Sequence, residues 1–351
     1  MNIDFTKNLL LWNREQNFRS MPWKNETDAY RIWLSEVILQ QTRVEQGIAY
    51  YNKFIISFPT ITALAEASDK EIFKLWEGLG YYTRCRNLIA TAKKVAIEYQ
   101  GSFPTDYDEI LSLPGIGPYT AAAIASFAFQ LPYAVVDGNV ERVLARYFGI
   151  STPVGSAAGK KLYNTLAMEL LDKKNPGTYN QAIMDFGATI CKPRNPVCIG
   201  CVQSKRCEAF QKNWTGELPR KQLHPQRKER RFYYFIVKNG KNGFWIRERT
   251  ENDIWQNLFE FVLLETGQII PQHEVPVIPF FLEHFGSKGL QIKSVSPIFN
   301  QKLTHQSITG CFIHLDRSLA EFPGYKSVTR KQLLSFPFPK LIADYLRNHT
   351  L

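Results

Sequence analysis

Over residues 1–210, apolar side chains recur at steps of three and four, the spacing that lines one face of an α-helix. The pattern is clearest in "DKEIFKLWEGL" (69–79), "RNLIATAKKVAIEYQ" (86–100) and "GKKLYNTLAMELLDKK" (159–174). Breakers rich in Pro, Gly, Ser and Thr punctuate it: "SFPT" (57–60), "GSFPT" (101–105) and "NPGT" (175–178). After residue 230 the period shortens towards two and aromatic residues become frequent. "RFYYFIVKNG" (231–240), "GFWIRER" (243–249), "LFEFVLL" (258–264) and "GCFIHL" (310–315) read as strands. The expectation is a multidomain chain, all-α first and then an α+β domain with an antiparallel or mixed sheet.

One position disturbs the helical pattern. In "WLSEVILQQT" (33–42), Glu36 sits in a run that is otherwise mostly apolar. Burying an unpaired carboxylate costs several kcal/mol or forces it to take up a proton. Either Arg31 or Arg43 pairs with Glu36, or a carboxyl that keeps its proton is useful there.

The chain of 351 residues carries a formal net charge of +11. That excess points to an acidic partner, most often nucleic acid. No apolar run approaches the roughly 18 residues of a membrane span. The start, "MNIDFTKNLLLWNREQNF", is amphipathic with acidic residues, unlike a leader. A cytoplasmic location is therefore expected, with association to the nucleoid through DNA. Composition shifts near 214, and 213–228 reads as a linker. Six Lys/Arg lie between 220 and 231 against one Glu, as suits contact with a phosphate backbone.

Three constellations carry chemistry. Cys191, Cys198, Cys201 and Cys207 follow C-x6-C-x2-C-x5-C. In a reducing compartment such a cluster reads as metal ligands before disulfides. Four thiolates satisfy one iron–sulfur cluster or one zinc. Zinc sites usually pair two short knuckles and only one pair here is that close, so the spacing leans towards iron–sulfur. Second, "LPGIGPYTAAAIASFAF" (113–129) places Gly115 and Gly117 in a hairpin after the helical "YDEILSL". Without Cβ atoms these residues let backbone approach a surface closely, and the next helix offers N–H groups to an anion. An ordinary helix–turn–helix corner is the bland reading; a helix–hairpin–helix gripping DNA phosphate is the sharper one. Third, in "VVDGNVERVLAR" (135–146), Asp137 opens a helix as an N-cap, a role compatible with a fixed negative charge at a pocket.

Hairpin, "VDGNV" and four-cysteine loop, in this order, resemble the helix–hairpin–helix DNA glycosylase superfamily. "PW" (22–23), "WLSEVILQQTRV" (33–44), "FPT" (58–60) and "WEGLGYYTRCRNL" (76–88) narrow the resemblance to MutY-type adenine DNA glycosylases. It implies a six-helix domain over 23–133. A second helical domain, 1–22 with 134–212, would carry a [4Fe–4S] cluster on the four cysteines. A MutT-like, Nudix-fold domain over 229–351 would recognise 8-oxoguanine. The implied partner is duplex DNA holding adenine opposite 8-oxoguanine or G, met by a monomer.

The resemblance also implies roles. Glu36 takes the catalytic acid's place and Asp137 that of the carboxylate beside the sugar, with Tyr119 and Asn139 flanking them. Tyr119 stands where lyase-type relatives carry a nucleophilic Lys, which implies hydrolysis without strand cleavage. Arg19, Trp23 and Leu39 match the adenine pocket, Gln41 and Tyr81 the intercalating positions, and Thr42 and Leu79 contacts near 8-oxoguanine. On sequence grounds alone, core packing also explains Trp23, Leu39 and Leu79. Lys24 and Gln181 stand where some members have Arg and Glu. "QKLTHQSITGCFIHL" (301–315) resembles a Phe-Ser-His loop, with Leu303 for Phe, Thr304 for Ser, and His305 kept. No Glu-rich Nudix helix is found, so nucleotide hydrolysis is not expected.

Overall fold

In the computed structural model, residues 2–222, 227–240, 243–286, 291–303 and 305–349 are described. Two compact units result: Met1–Glu66 with Asn87–Leu223, and Ala67–Arg86 with His224–Leu351.

The first unit is helical. It contains α1 (Asn2–Gln16), α2 (Ala29–Leu39), α3 (Val44–Ser57) and α4 (Ile61–Glu66). After α5 (Asp69–Trp76), which belongs to the second unit, come α6 (Tyr82–Glu98), whose residues up to Arg86 also belong to the second unit, α7 (Tyr107–Leu111), α8 (Pro118–Phe129) and α9 (Gly138–Phe148). Then follow α10 (Ala157–Leu170), α11 (Pro176–Thr189) and α12 (Glu208–Gln211). The breakers of the sequence fall between helices, and polar residues start them. Asp28 accepts from the Arg31 N–H at 2.9 Å, Ser156 caps α10, and Pro opens α8 and α11. The expected helix over 69–79 stops at Trp76, because Gly78 and Gly80 both take positive φ.

Phe5, Leu9 and Trp12 of α1 share a core with Val140 and Leu144 of α9 and with Ile183 and Phe186 of α11. The alanine-rich α8 packs on α2, where small side chains let helix axes approach. Residues 213–222 are held to this unit: Leu218 is buried, and its carbonyl accepts from Arg146 Nε at 3.0 Å.

The second unit is built on a mixed sheet of β1 (Lys228–Asn239), β2 (Gly243–Glu248), β3 (Phe259–Glu260), β4 (Val262–Thr266), β5 (Ile292–Val295), β6 (Phe299–Lys302), β7 (Gln306–Ser318) and β8 (Lys326–Thr329). β1 runs parallel to β7 and antiparallel to β2 and β4. Its Phe232–Val237 run is buried on both faces, as a central strand of a parallel pair should be. All four strand expectations meet strands, but 258–264 is split at Phe261 into β3 and β4.

Candidate active site

Glu36 lies on α2, 7 % exposed. Tyr119, on the first turn of α8, donates its hydroxyl to Glu36 Oε2 at 2.7 Å. Among the described residues no Lys or Arg pairs with Glu36; Arg31 goes to Glu26 instead, at 3.3 Å. Burial pushes the Glu36 carboxyl up to about 7, and nearby Asp137 adds to this, while the Tyr119 hydrogen bond opposes it. Glu36 is thus a carboxyl that keeps its proton near neutrality.

Asp137 is the N-cap of α9. Its Oδ1 accepts from the Asn139 and Val140 N–H groups, both at 2.8 Å, and its Oδ2 from Asn139 Nδ2 at 2.6 Å. Burial lifts this carboxyl above its ordinary range, but the three donors and the Arg142 guanidinium pull it back. Asp137 caps the helix as expected, and its donors favour the anion against the burial that raises its carboxyl. With three donors on Asp137 and one on Glu36, a shared proton belongs on Glu36.

These two carboxyl groups line one cavity of about 390 Å³ together with Arg19, Trp23, Leu39, Gln41, Thr42, Tyr119, Asn139 and Gln181. Ten residues singled out from the sequence therefore meet in one place. Trp23 is also core: it is buried and packs edge-on against Tyr51 at 5.4 Å. Gln41 follows the end of α2 with φ +55, a sharp turn that brings Gln41 and Thr42 to the cavity wall. A neighbouring recess shares Trp23, Glu36 and Gln181 and adds Lys24.

Sequence reasoning passed over Asp185 and Arg142. Asp185, fully buried on α11, accepts from Arg19 at 2.7 Å, Gln181 at 3.0 Å and Asn17 at 2.9 Å, and holds Lys24 at 3.1 Å. The signal was there, since "AIMDFG" sets an acid in an apolar helix just as "WLSEVIL" does. Arg142 donates to Asn139 Oδ1 at 2.8 Å, to the Gly187 carbonyl at 2.7 Å and to the Cys191 carbonyl at 2.7 Å. It thereby ties the cap of Asp137 to the cysteine loop.

The four cysteines surround a small apolar cavity with Phe5, Val143, Tyr147 and Arg146. Burial pushes the Cys201 thiol up to about 11, with the other three sulfurs adding to it. Arg146 Nη1 lies 3.5 Å from Cys191 Sγ, and the Gln203 N–H lies 3.4 Å from Cys201 Sγ. Among the described residues no group of three His, Cys, Asp or Glu is arranged to hold a single metal ion. The four sulfurs line one apolar cavity and two of them have N–H donors nearby, a donor set that suits a thiolate-held metal centre.

The hairpin keeps its expected form. Gly115 has φ +71, and a Cβ there would meet Asn87 at 2.5 Å. Gly117 caps α8 without a side chain, and a Cβ there would meet nothing within 4 Å, so the backbone lies open. Leu79 and Tyr81 lie in the second unit, Leu79 buried and Tyr81 39 % exposed. His305 is exposed in the β6–β7 turn, where the Leu303 N–H reaches the Gln306 carbonyl at 2.8 Å; Thr304 lies outside the described residues.

Two family descriptions match: HhH-GPD superfamily base excision DNA repair protein over residues 34–167, and NUDIX domain over 233–348. An adenine DNA glycosylase of Buchnera aphidicola (subsp. Schizaphis graminum) is 39% identical over 75% of this chain and 75% of its own. One from Mus musculus is 43% identical over 61% of this chain and 43% of its own. Among solved structures, a thermostable thymine-DNA glycosylase aligns with TM-score 0.54 and 31% identity, covering 60% of this chain and 97% of that one. Helical core, Nudix-like sheet unit and relatives agree: this chain belongs to the adenine DNA glycosylase family.

Proposed function

We propose that the chain is a monofunctional glycosylase that removes adenine mispaired with 8-oxoguanine, or with G, from duplex DNA and leaves an abasic site. The observation that carries this reading is Glu36, buried without a cation partner among the described residues and bonded to the Tyr119 hydroxyl, set in one cavity with Asp137, which accepts from three N–H donors.

Adenine must first leave the base stack, at a cost of a few kcal/mol. Gln41 and Tyr81 fill the gap, and Thr42, Leu79, Thr304 and His305 contact the opposite base. Arg19, Trp23 and Leu39 hold the flipped adenine. Glu36 then gives its proton to N7, which makes the base a leaving group, and the C1′–N9 bond breaks. Asp137 stabilises the positive charge on the sugar. Glu36, now a carboxylate, takes a proton from the water that adds to C1′. The pair thus divides acid and anion roles as glycosidase carboxyls do. Tyr119 offers no amine, so no Schiff base forms there. Gly115 and Gly117 approach a DNA phosphate. Cys191, Cys198, Cys201 and Cys207 would hold a [4Fe–4S] cluster, which when bound fixes their loop.

The test uses duplexes carrying A opposite 8-oxoguanine, G, C or T, heated in alkali after incubation. Release should be fastest opposite 8-oxoguanine, slower opposite G and negligible opposite C and T. Equal rates on all four, or borohydride trapping of a covalent product, would sink the reading.

A further inference from the structure

In the second unit, three of the four residues Gly78–Tyr81 take left-handed backbone: Gly78 at φ +93, Gly80 at φ +77 and Tyr81 at φ +50. For a bulky Tyr this conformation is strained, and it persists only where the surroundings over-determine it. Local bonds contribute. Trp76 Nε1 donates to the Gly80 carbonyl at 2.9 Å, and the Arg84 N–H to that of Tyr81 at 2.9 Å. The segment Ser335–Pro339, more than 250 residues away in sequence, grips both flanks of the same loop. On one flank Glu77 Oε1 accepts from the Phe338 N–H at 3.1 Å. Glu77 Oε2 holds Lys74 at 2.7 Å, and Lys74 Nζ donates to the Phe336 carbonyl at 3.1 Å. On the other flank the buried Tyr82 donates its hydroxyl to the Phe338 carbonyl at 3.1 Å. The segment is itself fixed to the sheet. The Phe259 N–H donates to the Pro337 carbonyl at 2.9 Å, and Phe336 packs edge-on against Phe259 at 4.7 Å.

We infer that Glu77 and Tyr82 are positioning residues, through which Phe336–Phe338 of the C-terminal domain set the Gly78–Tyr81 loop in its recognition-competent form. The domain thus acts on the mispair through this clasp as well as through the turn bearing His305. This rests on the proposed roles of Leu79 and Tyr81. Neither Glu77 nor Tyr82 touches the reacting atoms in that scheme; the clasp governs binding, and the chemistry belongs to the cavity of Glu36.

The full-length chain is compared with Glu77→Ala, Glu77→Gln and Tyr82→Phe. Two readouts are taken: amide hydrogen exchange at Leu79–Tyr81 without DNA, and affinity for a duplex whose adenosine, opposite 8-oxoguanine, resists cleavage. Glu77→Ala and Tyr82→Phe should speed exchange in the loop at least tenfold and weaken binding at least fivefold. Glu77→Gln keeps an acceptor for the Phe338 N–H but gives up the Lys74 pair, and should fall between wild type and Glu77→Ala in both. The single-turnover rate at saturating cleavable duplex should stay within twofold for all three. Unchanged exchange in both Glu77→Ala and Tyr82→Phe, or a saturated rate that falls as far as affinity does, would overturn the clasp. A wild type that releases no adenine would overturn the functional reading alone, and exchange would still decide whether the clasp holds the loop.

Discussion

Buried charge on the strands of the sheet unit and at Glu36 of the helical unit is handled in opposite ways. On the strands of the sheet unit, the buried charges Glu260, Arg249 and Arg230 are answered by opposite charges. Glu260, fully buried, accepts from Arg249 at 2.5 Å and Arg247 at 2.9 Å. Arg230 meets Asp253 at 2.8 Å and Glu265 at 2.6 Å. In the helical unit Asp185 follows the same rule with Arg19 and Lys24. Glu36, on the wall of the cavity that Arg19 also lines, does not; a neutral hydroxyl is its side-chain donor. Paired burial holds a structure in place. Burial without a cation holds a proton.

Replacing Glu36 tests the contrast most severely. Glu36→Gln removes the acid, and single-turnover adenine release should fall by about 10³-fold or more. The same change should stabilise the fold at pH 8. The folded carboxyl titrates at about 7 against an ordinary 4.5, so ionising it costs stability as pH rises through that window. A glutamine escapes the penalty, worth up to about 3 kcal/mol at pH 8 and little at pH 4. Denaturant melts at both pH values check this. A variant less stable than wild type at pH 8 would mean that Glu36 is paired in a way the geometry does not show.

The converse change lies in the sheet unit. Glu260→Gln removes the anion that Arg249 and Arg247 share, leaving them Asp253 at 2.7 Å and Glu251 at 3.2 Å, and should cost that unit up to about 3 kcal/mol. Adenine release by the protein that remains folded should stay within about threefold of wild type, because no proton donor has been touched. If Glu260→Gln melted like wild type, paired burial would not be what holds this unit.

Much of this was legible in the sequence, because the signals are local. A three-and-four period gives α6 and α10, Pro and Gly give the breaks, and an acid inside "WLSEVIL" shows as an anomaly without any fold. What stayed hidden depends on long-range partners. Asp185 presents the same local anomaly as Glu36, and only the positions of Arg19 and Lys24, over 160 residues away, separate a strut from an acid. Arg142 reads as an ordinary helical cation until its carbonyl partners at Gly187 and Cys191 are known. The break of the expected strand at Phe261 depends on β2 pairing with β3 and β1 with β4, which no window of sequence contains.

Asp185→Asn would sharpen the comparison inside the helical unit. It keeps the shape but frees Arg19 and Lys24 from their shared anion, and Gln181 loses a fixed acceptor. Misplacement of the cavity wall should slow adenine release about 10- to 100-fold, with the pH at which the rate falls unchanged. A pH–rate profile decides: a moved limb would make Asp185 part of the proton's environment and not a strut.

Tyr119→Phe predicts the smallest change and separates the two influences on Glu36. Wild-type single-turnover rate should fall as pH rises through about 7, because the acid must enter the reaction with its proton. The Tyr119 hydroxyl favours the carboxylate, so it works against burial. Removing it should raise the Glu36 pKa further and carry the falling limb to higher pH. A hydrogen bond to a charged group contributes about 1.5 kcal/mol, which corresponds to about one pH unit. At pH 6, where both proteins hold the proton, rates should agree within about threefold. A limb that moved down would mean that Tyr119 accepts from a protonated Glu36 and so favours the acid form. A limb that stayed put would leave burial as the whole cause of the retained proton.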